Sequence, residues 1–333
     1  MLRPRPAAAR PAGARPAGAR PVGVVLAGAV LAGITAVVGC RVVGSDAVTP
    51  VPQLLSFLPW LAVPTAVCLL VALAARCRVL AGWAAVLLAV TAWYSRPHGP
   101  ESTPADGRPV AAPLRVLAAN VEFGGATREL LRVIRRERPD LVFVTECDPA
   151  CVRTLGTAYP HRAQVAGEGS TGSVILSVHP LTPGPALPSL MGMPGATARI
   201  AGREVRLRLA HPMPPLPGQV AVWKRELGLL RDDAARHARG GPLLVAGDFN
   251  ATQDHAAFRA VLDAGALHDA ARLAGAFRTP SWPQGAGLLP PYAQIDHVLV
   301  GGDDLSVRGA RFLDVPGTDH RALLADLDLH ARR

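Results

Sequence analysis

The chain changes character near residue 100, and that break constrains its folding more than any single motif does. Before it lie three apolar stretches, at about Val22 to Cys40, Leu54 to Ala75 and Val79 to Tyr94, none with a polar face to turn toward water. After it, the apolar runs are short and alternate with amphipathic patterns. A bilayer span takes ~20 apolar residues. Residues 21–95 are therefore expected to form a membrane region of about three transmembrane helices, the third short and ending in the interfacial pair Trp93-Tyr94. A cleaved signal peptide is the rival reading of the first stretch, but the two later stretches would still hold the protein in a bilayer.

Residues 1–20 repeat an Arg-Pro-Ala-Gly pattern without apolar period and are expected to be a disordered tail. Arg76 and Arg78 sit in the turn before the third stretch. Positive loops stay cytoplasmic, so the tail and this turn are expected inside and everything after Tyr94 outside. The first hundred residues carry nine Arg against one acid, +8 of the total of +10, and the remainder carries 26 basic residues against 24 acids. High basicity thus belongs to the amino-terminal third, and a nucleic-acid footprint should lie on the binding domain itself.

Residues 96–112 are rich in Pro, Ser and charge and are expected to be a linker. Over residues 113–330 the pattern predicts strands at 114–120, 140–146, 173–178, 196–201, 204–210, 243–246, 294–300 and 322–327. Helices are expected over TRELLRVIRRE, at about Gln219 to Arg239, and at about Asp254 to Ala264. Such mixing over some 220 residues suggests two packed sheets flanked by helices. Cys147 and Cys151 would face an oxidising compartment, but an i, i+4 pair on a helix suits a disulfide poorly, so two buried thiols are favoured.

The polar residues fall at strand ends: Asn120, Glu146, His211, Asp248 with Asn250, Asp296 with His297, and Asp319 with His320. Buried apolar strands have no structural use for such endings. Strand ends lining one edge converge on a pocket. Carboxylate and amide oxygens without thiolates suit a hard cation, Mg²⁺, Mn²⁺ or Ca²⁺.

The motifs LRVLAANVEFGG, PDLVFVTE, LRLAHPMPP, LLVAGDFNAT, QIDHVLV and GTDHRALLADL, in that order, resemble those of the endonuclease/exonuclease/phosphatase superfamily from about Leu114 to Leu327. The resemblance implies a four-layer α/β sandwich and hydrolysis of a phosphate ester. It implies Glu146 as the principal metal ligand, with Asn120 and Asp319 close to the metal or its waters. Asp248 would activate the attacking water and Asn250 contact the phosphate. His320, bonded to Asp296, would bind the phosphate or stabilise its transition state, and His211 would hold another phosphate oxygen.

His297 should point away from that pocket, on the opposite face of its strand. Glu122 reads as a loop residue with a supporting role open to it, and Asp269 is ambiguous. His161, His179, His237, His255, His268 and His330 match no motif. Ser281 to Pro291 reads either as a lid carrying Trp282 or as a plain loop with a packed Trp. The expectation is a membrane-anchored, outward-facing, divalent-metal-dependent phosphoesterase cleaving a phosphodiester or phosphomonoester by in-line attack of water. Its substrate class stays open between lipid, nucleic acid and sugar phosphate, with an extracellular nuclease or a non-catalytic scaffold as alternatives.

Overall fold

The computed structural model describes residues 22–105, 107–285 and 292–332; the expected disordered tail lies outside them. The apolar region forms α1 (Val22–Val43), α2 (Val51–Leu55), a 3₁₀ turn (Leu58–Leu61), α3 (Ala62–Ala74) and α4 (Arg78–Tyr94). Among the described residues only α1 is long and apolar enough to cross a membrane. This corrects the expected count of three. Proline cannot donate to a preceding turn and is tolerated only at helix starts. Pro52 and Pro59 occupy such starts, so the second stretch is cut into α2, the 3₁₀ turn and α3. At 1.5 Å per residue, the 17 residues of α4 reach about 25 Å, short of a ~30 Å hydrocarbon core.

These helices pack on one another through Leu31, Val38, Leu58, Ala72 and Ala84. Gly23 lies against Val71 and Gly28 against Leu80, while Arg41 at the other end of α1 stacks over Tyr94, 5.1 Å from the ring centre. Thus α1 and α4 run together and α3 runs back, which puts Arg76 and Arg78 beside the start of α1.

The other end of the bundle seats the mixed domain. Its elements are β1 (Val110–Asn120), α5 (Thr127–Glu137), β2 (Leu141–Thr145), α6 (Pro149–Gly156), β3 (His161–Val165), β4 (Ser173–Ser177), β5 (Leu181–Gly184), β6 (Gly195–Ile200), β7 (Arg203–Ala210) and α7 (Val220–His237). There follow β8 (Leu243–Asp248), α8 (Ala256–Gly265), β9 (His268–Asp269), α9 (Ala270–Leu273), β10 (Asp296–Gly301), β11 (Leu305–Asp314) and β12 (Arg321–His330). They build two six-stranded mixed sheets, in orders β11-β12-β1-β2-β4-β3 and β5-β6-β7-β8-β10-β9.

Alternation along each strand sorts the side chains into layers. Leu114, Val116 and Ala118 of β1 meet Leu207, Leu244 and Val298 of the second sheet, whereas Leu117 and Ala119 face α5 and α6. Leu243, Val245 and Leu299 face α7 and α8. The order is helix, sheet, sheet, helix. Truncating a fully buried ring such as Phe143 in the middle layer would cost ~3–5 kcal/mol. Strands β3, β5, β9 and β11 and helices α6 and α9 add to the sequence reading. Residues expected to be a free linker lie along the domain: Ala105 is buried and Arg108 bonds the Asp304 carboxylate at 3.1 Å.

Cys147 and Cys151 form a disulfide with Cα atoms 5.2 Å apart. The favoured pair of thiols is corrected because the helix does not contain both. It starts at Pro149, with Asp148 as its cap accepting from the Cys151 N–H at 2.7 Å, so Cys147 lies in the preceding turn.

Asp254 joins bundle and domain. Its buried carboxylate takes two bonds from Arg278, at 2.7 and 2.8 Å, and lies 3.7 Å from Arg41, while Arg278 Nε donates to Ser95 O at 2.8 Å. Removing one partner of a buried pair leaves the other charge uncompensated. Asp254→Ala should therefore cost ~3–5 kcal/mol, read as a lowered unfolding midpoint of the full chain in detergent; an unchanged midpoint would show that the pair adds nothing.

Candidate active site

Topology alone collects the polar strand ends. Strand β1 is parallel to β2 in one sheet and β7 to β8 in the other, so Asn120, Glu146, His211 and Asp248 all emerge at the same edge. Antiparallel β10 and β12 enter where those strands leave, which brings Asp296 opposite Asp248 and His320 just ahead of Arg321. Gly247 permits this convergence. Its φ is +143°, and a Cβ there would stand 2.2 Å from the carbonyl oxygen of Ala210, the residue before His211.

Asn120 bridges the sheets: its Nδ2 donates to Glu146 Oε1 at 3.0 Å and to Asp248 Oδ2 at 3.1 Å. Its Oδ1 accepts from the Glu122 N–H at 2.9 Å. Glu146 follows β2 with φ +56° and Asn250 follows β8 with φ +46°, left-handed conformations that Asn tolerates and Glu seldom adopts. In that turn Glu146 Oε2 accepts from the Phe123 N–H at 3.1 Å. Asn250 donates its N–H to Asp248 Oδ1 at 2.8 Å and its Nδ2 to Pro212 O at 3.0 Å.

His320 stands among carboxylates. Its Nδ1 bonds Asp296 Oδ2 at 2.9 Å, and its Nε2 lies 3.8 Å from Asp248 Oδ2 and 3.7 Å from Asp319 Oδ1. Burial disfavours the imidazolium, but Asp296 and Asp248 outweigh it and raise His320 to about 10. His211 has the opposite fate: fully buried, it is pushed down to about 4 and stays neutral, despite Asp248 nearby. Burial also raises the carboxyls of Glu146 and Asp248.

Among the eight residues of this edge, two have buried atoms without a hydrogen-bond partner. Neither ring nitrogen of His211 has a hydrogen bond, although Nε2 is 3.8 Å from Glu146 Oε1, and Asp296 Oδ1 is likewise unbonded. Buried polar atoms are normally satisfied, so His211 is placed for something that binds. Glu146 and Asp319 offer hard oxygen donors, with Asn120 beside them, and crowded carboxylates held in apolar surroundings suit a divalent cation. Asp248, Asp296 and His320 also present ligand atoms within 4.8 Å of one another. His320 Nδ1 is already engaged by Asp296, however, which favours a cationic imidazole there over a ligating one.

All eight residues singled out from the sequence meet at this edge. Two supporting residues were not among them. Glu122 Oε2 accepts from the Asp319 N–H at 2.9 Å, and Trp282 Nε1 donates to Asp319 Oδ2 at 2.8 Å. Glu122 was visible only as an acid two residues after Asn120. Trp282, which allowed either a lid or a packed ring, is half-buried and paired with Ala293; residues 286–291 of that stretch lie outside the described ones. His297 faces away, bonding Asp269 Oδ2 at 2.8 Å and Ala251 O at 3.1 Å.

Comparison with known proteins agrees with the fold. No curated protein matches the chain. Among solved structures, a humanized D. rerio TDP2 is similar at 14% identity and a TM-score of 0.53, covering 65% of this chain and 98% of its own. A family protein from Bacteroides thetaiotaomicron is similar at 14% identity and a TM-score of 0.51, over 67% of this chain and 98% of its own. The human Nocturnin catalytic domain with bound sulfate is similar at 18% identity and a TM-score of 0.50, over 65% and 94%. The Endonuclease/Exonuclease/phosphatase family model matches residues 117–320, which runs from β1 to His320. The chain belongs to the endonuclease/exonuclease/phosphatase family of phosphoester-hydrolysing enzymes.

Proposed function

We propose that this enzyme is a membrane-anchored phosphoesterase whose catalytic domain faces outward and hydrolyses a phosphodiester or phosphomonoester with a divalent cation, Mg²⁺ or Mn²⁺. The observation that carries the reading is the Asp296–His320 pair, with His320 Nε2 aimed between Asp248 and Asp319 beside the unpartnered His211. Glu146, Asp319 and Asn120 would hold the cation, which supplies charge stabilisation at a phosphate oxygen. Asp248, raised by burial, accepts a proton from water as the water oxygen attacks phosphorus in line; the ester P–O bond opposite breaks and the departing alkoxide takes a proton from solvent. His320 as imidazolium and Asn250 hold oxygens that gain charge as water attacks, and Asp296 keeps His320 oriented and protonated. Neutral His211 holds a further oxygen through a ring N–H.

Anchoring rests on α1, whose outer side leaves Val25 and Leu26 about 60% exposed with no polar face to cover them. A removed signal sequence would not need the packing of Leu31 and Val38 against α3 and α4. With α1 as the crossing, the domain lies opposite the start of that helix. Arg76 and Arg78 lie beside that start, the side that positive-inside bias makes cytoplasmic. The Cys147–Cys151 disulfide fits an oxidising compartment.

One similar structure, also of D. rerio TDP2, is a complex with single-strand DNA product. That makes a nuclease the second reading, but the near-balanced charge of residues 101–333 does not supply a cationic track.

Asp248→Ala and His320→Ala should each lower kcat by ~10²–10⁴-fold in a phosphate-ester assay, and EDTA should abolish turnover. Glu146→Gln should raise the Mg²⁺ or Mn²⁺ concentration for half-maximal rate by roughly tenfold or more. Full activity in these variants would remove the proposed roles. The pH profile tests the pair separately. A raised His320 is charged below about 10 and loses its proton as pH rises through that value, so the wild type should keep its rate to high pH. Asp296→Asn should move the alkaline limb of kcat/KM down by about 1–3 units, and an unmoved limb would contradict the pairing. For orientation, Val178→Cys should react with an impermeant thiol reagent on intact cells; labelling only after permeabilisation would place the domain inside.

A further inference from the structure

A groove of about 260 Å³ leads from the catalytic centre to the apolar helices. Its inner end is formed by Asn250 and Trp282, residues already bonded to Asp248 and Asp319. Its walls are Pro214 and Leu216, from the loop that follows His211, and Ile295, which precedes Asp296. Its far wall is Phe57, from the segment between α2 and α3. The loop after His211 and the segment before Asp296 therefore send apolar residues into one channel, and the helical region closes it. The closure is held by Gln53 Nε2 donating to Pro215 O and by the Phe57 ring against Tyr292, with centres 4.7 Å apart.

Among the described residues the lining contains no Lys or Arg. A strand of nucleic acid continuing past the reacting phosphate would bring further phosphates that need cations along their path. A hydrocarbon chain needs none. The outward continuation is apolar as well, since Trp60 is 46% exposed and Val63 and Val67, next on α3, are more than half exposed. A molecule reaching along the groove thus runs from a phosphate site to the surface that would meet lipid.

We propose that this groove takes the hydrocarbon chain of a membrane lipid whose phosphate ester is cleaved at the Asp248–His320 centre. The inference rests on the phosphoesterase reading above and names the class of substrate. The helical region is then part of the substrate site as well as an anchor, with Phe57 and Leu216 setting the preference for chain length.

The test uses the full chain in detergent with Mg²⁺ or Mn²⁺. Two series are assayed below their micelle-forming concentrations: n-alkyl monophosphates by phosphate release, and n-alkyl p-nitrophenyl diesters by nitrophenolate release, each from methyl to octyl. A single-stranded oligonucleotide is run beside them. In at least one series kcat/KM should climb about fourfold per methylene until the groove is filled. Leu216→Asp, at a side chain 54% exposed and so tolerant of change, should flatten that climb, and Phe57→Ala should do so in part. Turnover independent of chain length, or a climb that both variants leave intact, would overturn the lipid groove and leave the phosphoesterase standing. Preferred cleavage of the oligonucleotide would replace lipid by nucleic acid. No metal-dependent turnover of any probe would overturn the phosphoesterase reading, and this inference with it.

Discussion

The two hydrogen bonds given by Asn120 Nδ2, to Glu146 within its own sheet and to Asp248 across in the other, hold the two halves of the site together. The amide matters because what it joins would otherwise repel. Glu146, Asp248 and Asp296 crowd one edge where burial makes separated charges costly, with the partly exposed Asp319 beside them. The protein answers with one neutral donor between two carboxylates and one imidazolium among three. The remaining imbalance is what a divalent cation would correct, so binding the cation and assembling the site are one electrostatic problem.

Backbone geometry near the centre serves the same end. Gly247 allows β8 to approach β7, and the left-handed turn at Glu146 swings its carboxylate back toward Asn120. The disulfide begins at the next residue, Cys147, and reaches into the first turn of α6. A crosslink there restrains the turn that carries Glu146. The loop after β1 completes the support: Glu122 and Phe123 offer backbone donors to Asn120 and Glu146, and the Glu122 carboxylate receives the Asp319 N–H.

The helical region and the domain are one structural unit at their junction. Asp46 accepts from the Ala257 N–H at 2.8 Å, His255 Nε2 bonds Pro52 O at 2.8 Å, and Asp254 gathers Arg278 and Arg41. His255, which matched no motif, is thus a docking residue. Such contacts fix the helices' apolar surface relative to the catalytic loops, and a groove between them can then have a defined shape.

Much of the site was legible from residue type and position. Apolar strands that end at Asn120, Glu146, His211 and Asp248 or begin at Asp296 and His320 identify an edge, because a polar group at the end of a buried strand has to be paid for by function. Strands β3, β5 and β11 were less legible, being short or interrupted by exposed Arg and Gly, as at Arg308 and Gly309 where β11 shifts register. The disulfide is not legible in the sequence, because the start of α6 at Pro149, two residues after Cys147, decides whether the two cysteines share a helix. Sequence determined by itself the division of the chain, the chemistry of the site and its oxygen-donor character, since these follow from composition and period along the chain. Only the tertiary structure decided the number of full-length apolar helices, the Asn120 bridge, the support from Glu122 and Trp282, and the groove from Asn250 to Phe57. Those depend on distances between segments far apart in the chain, which packing sets and local pattern does not.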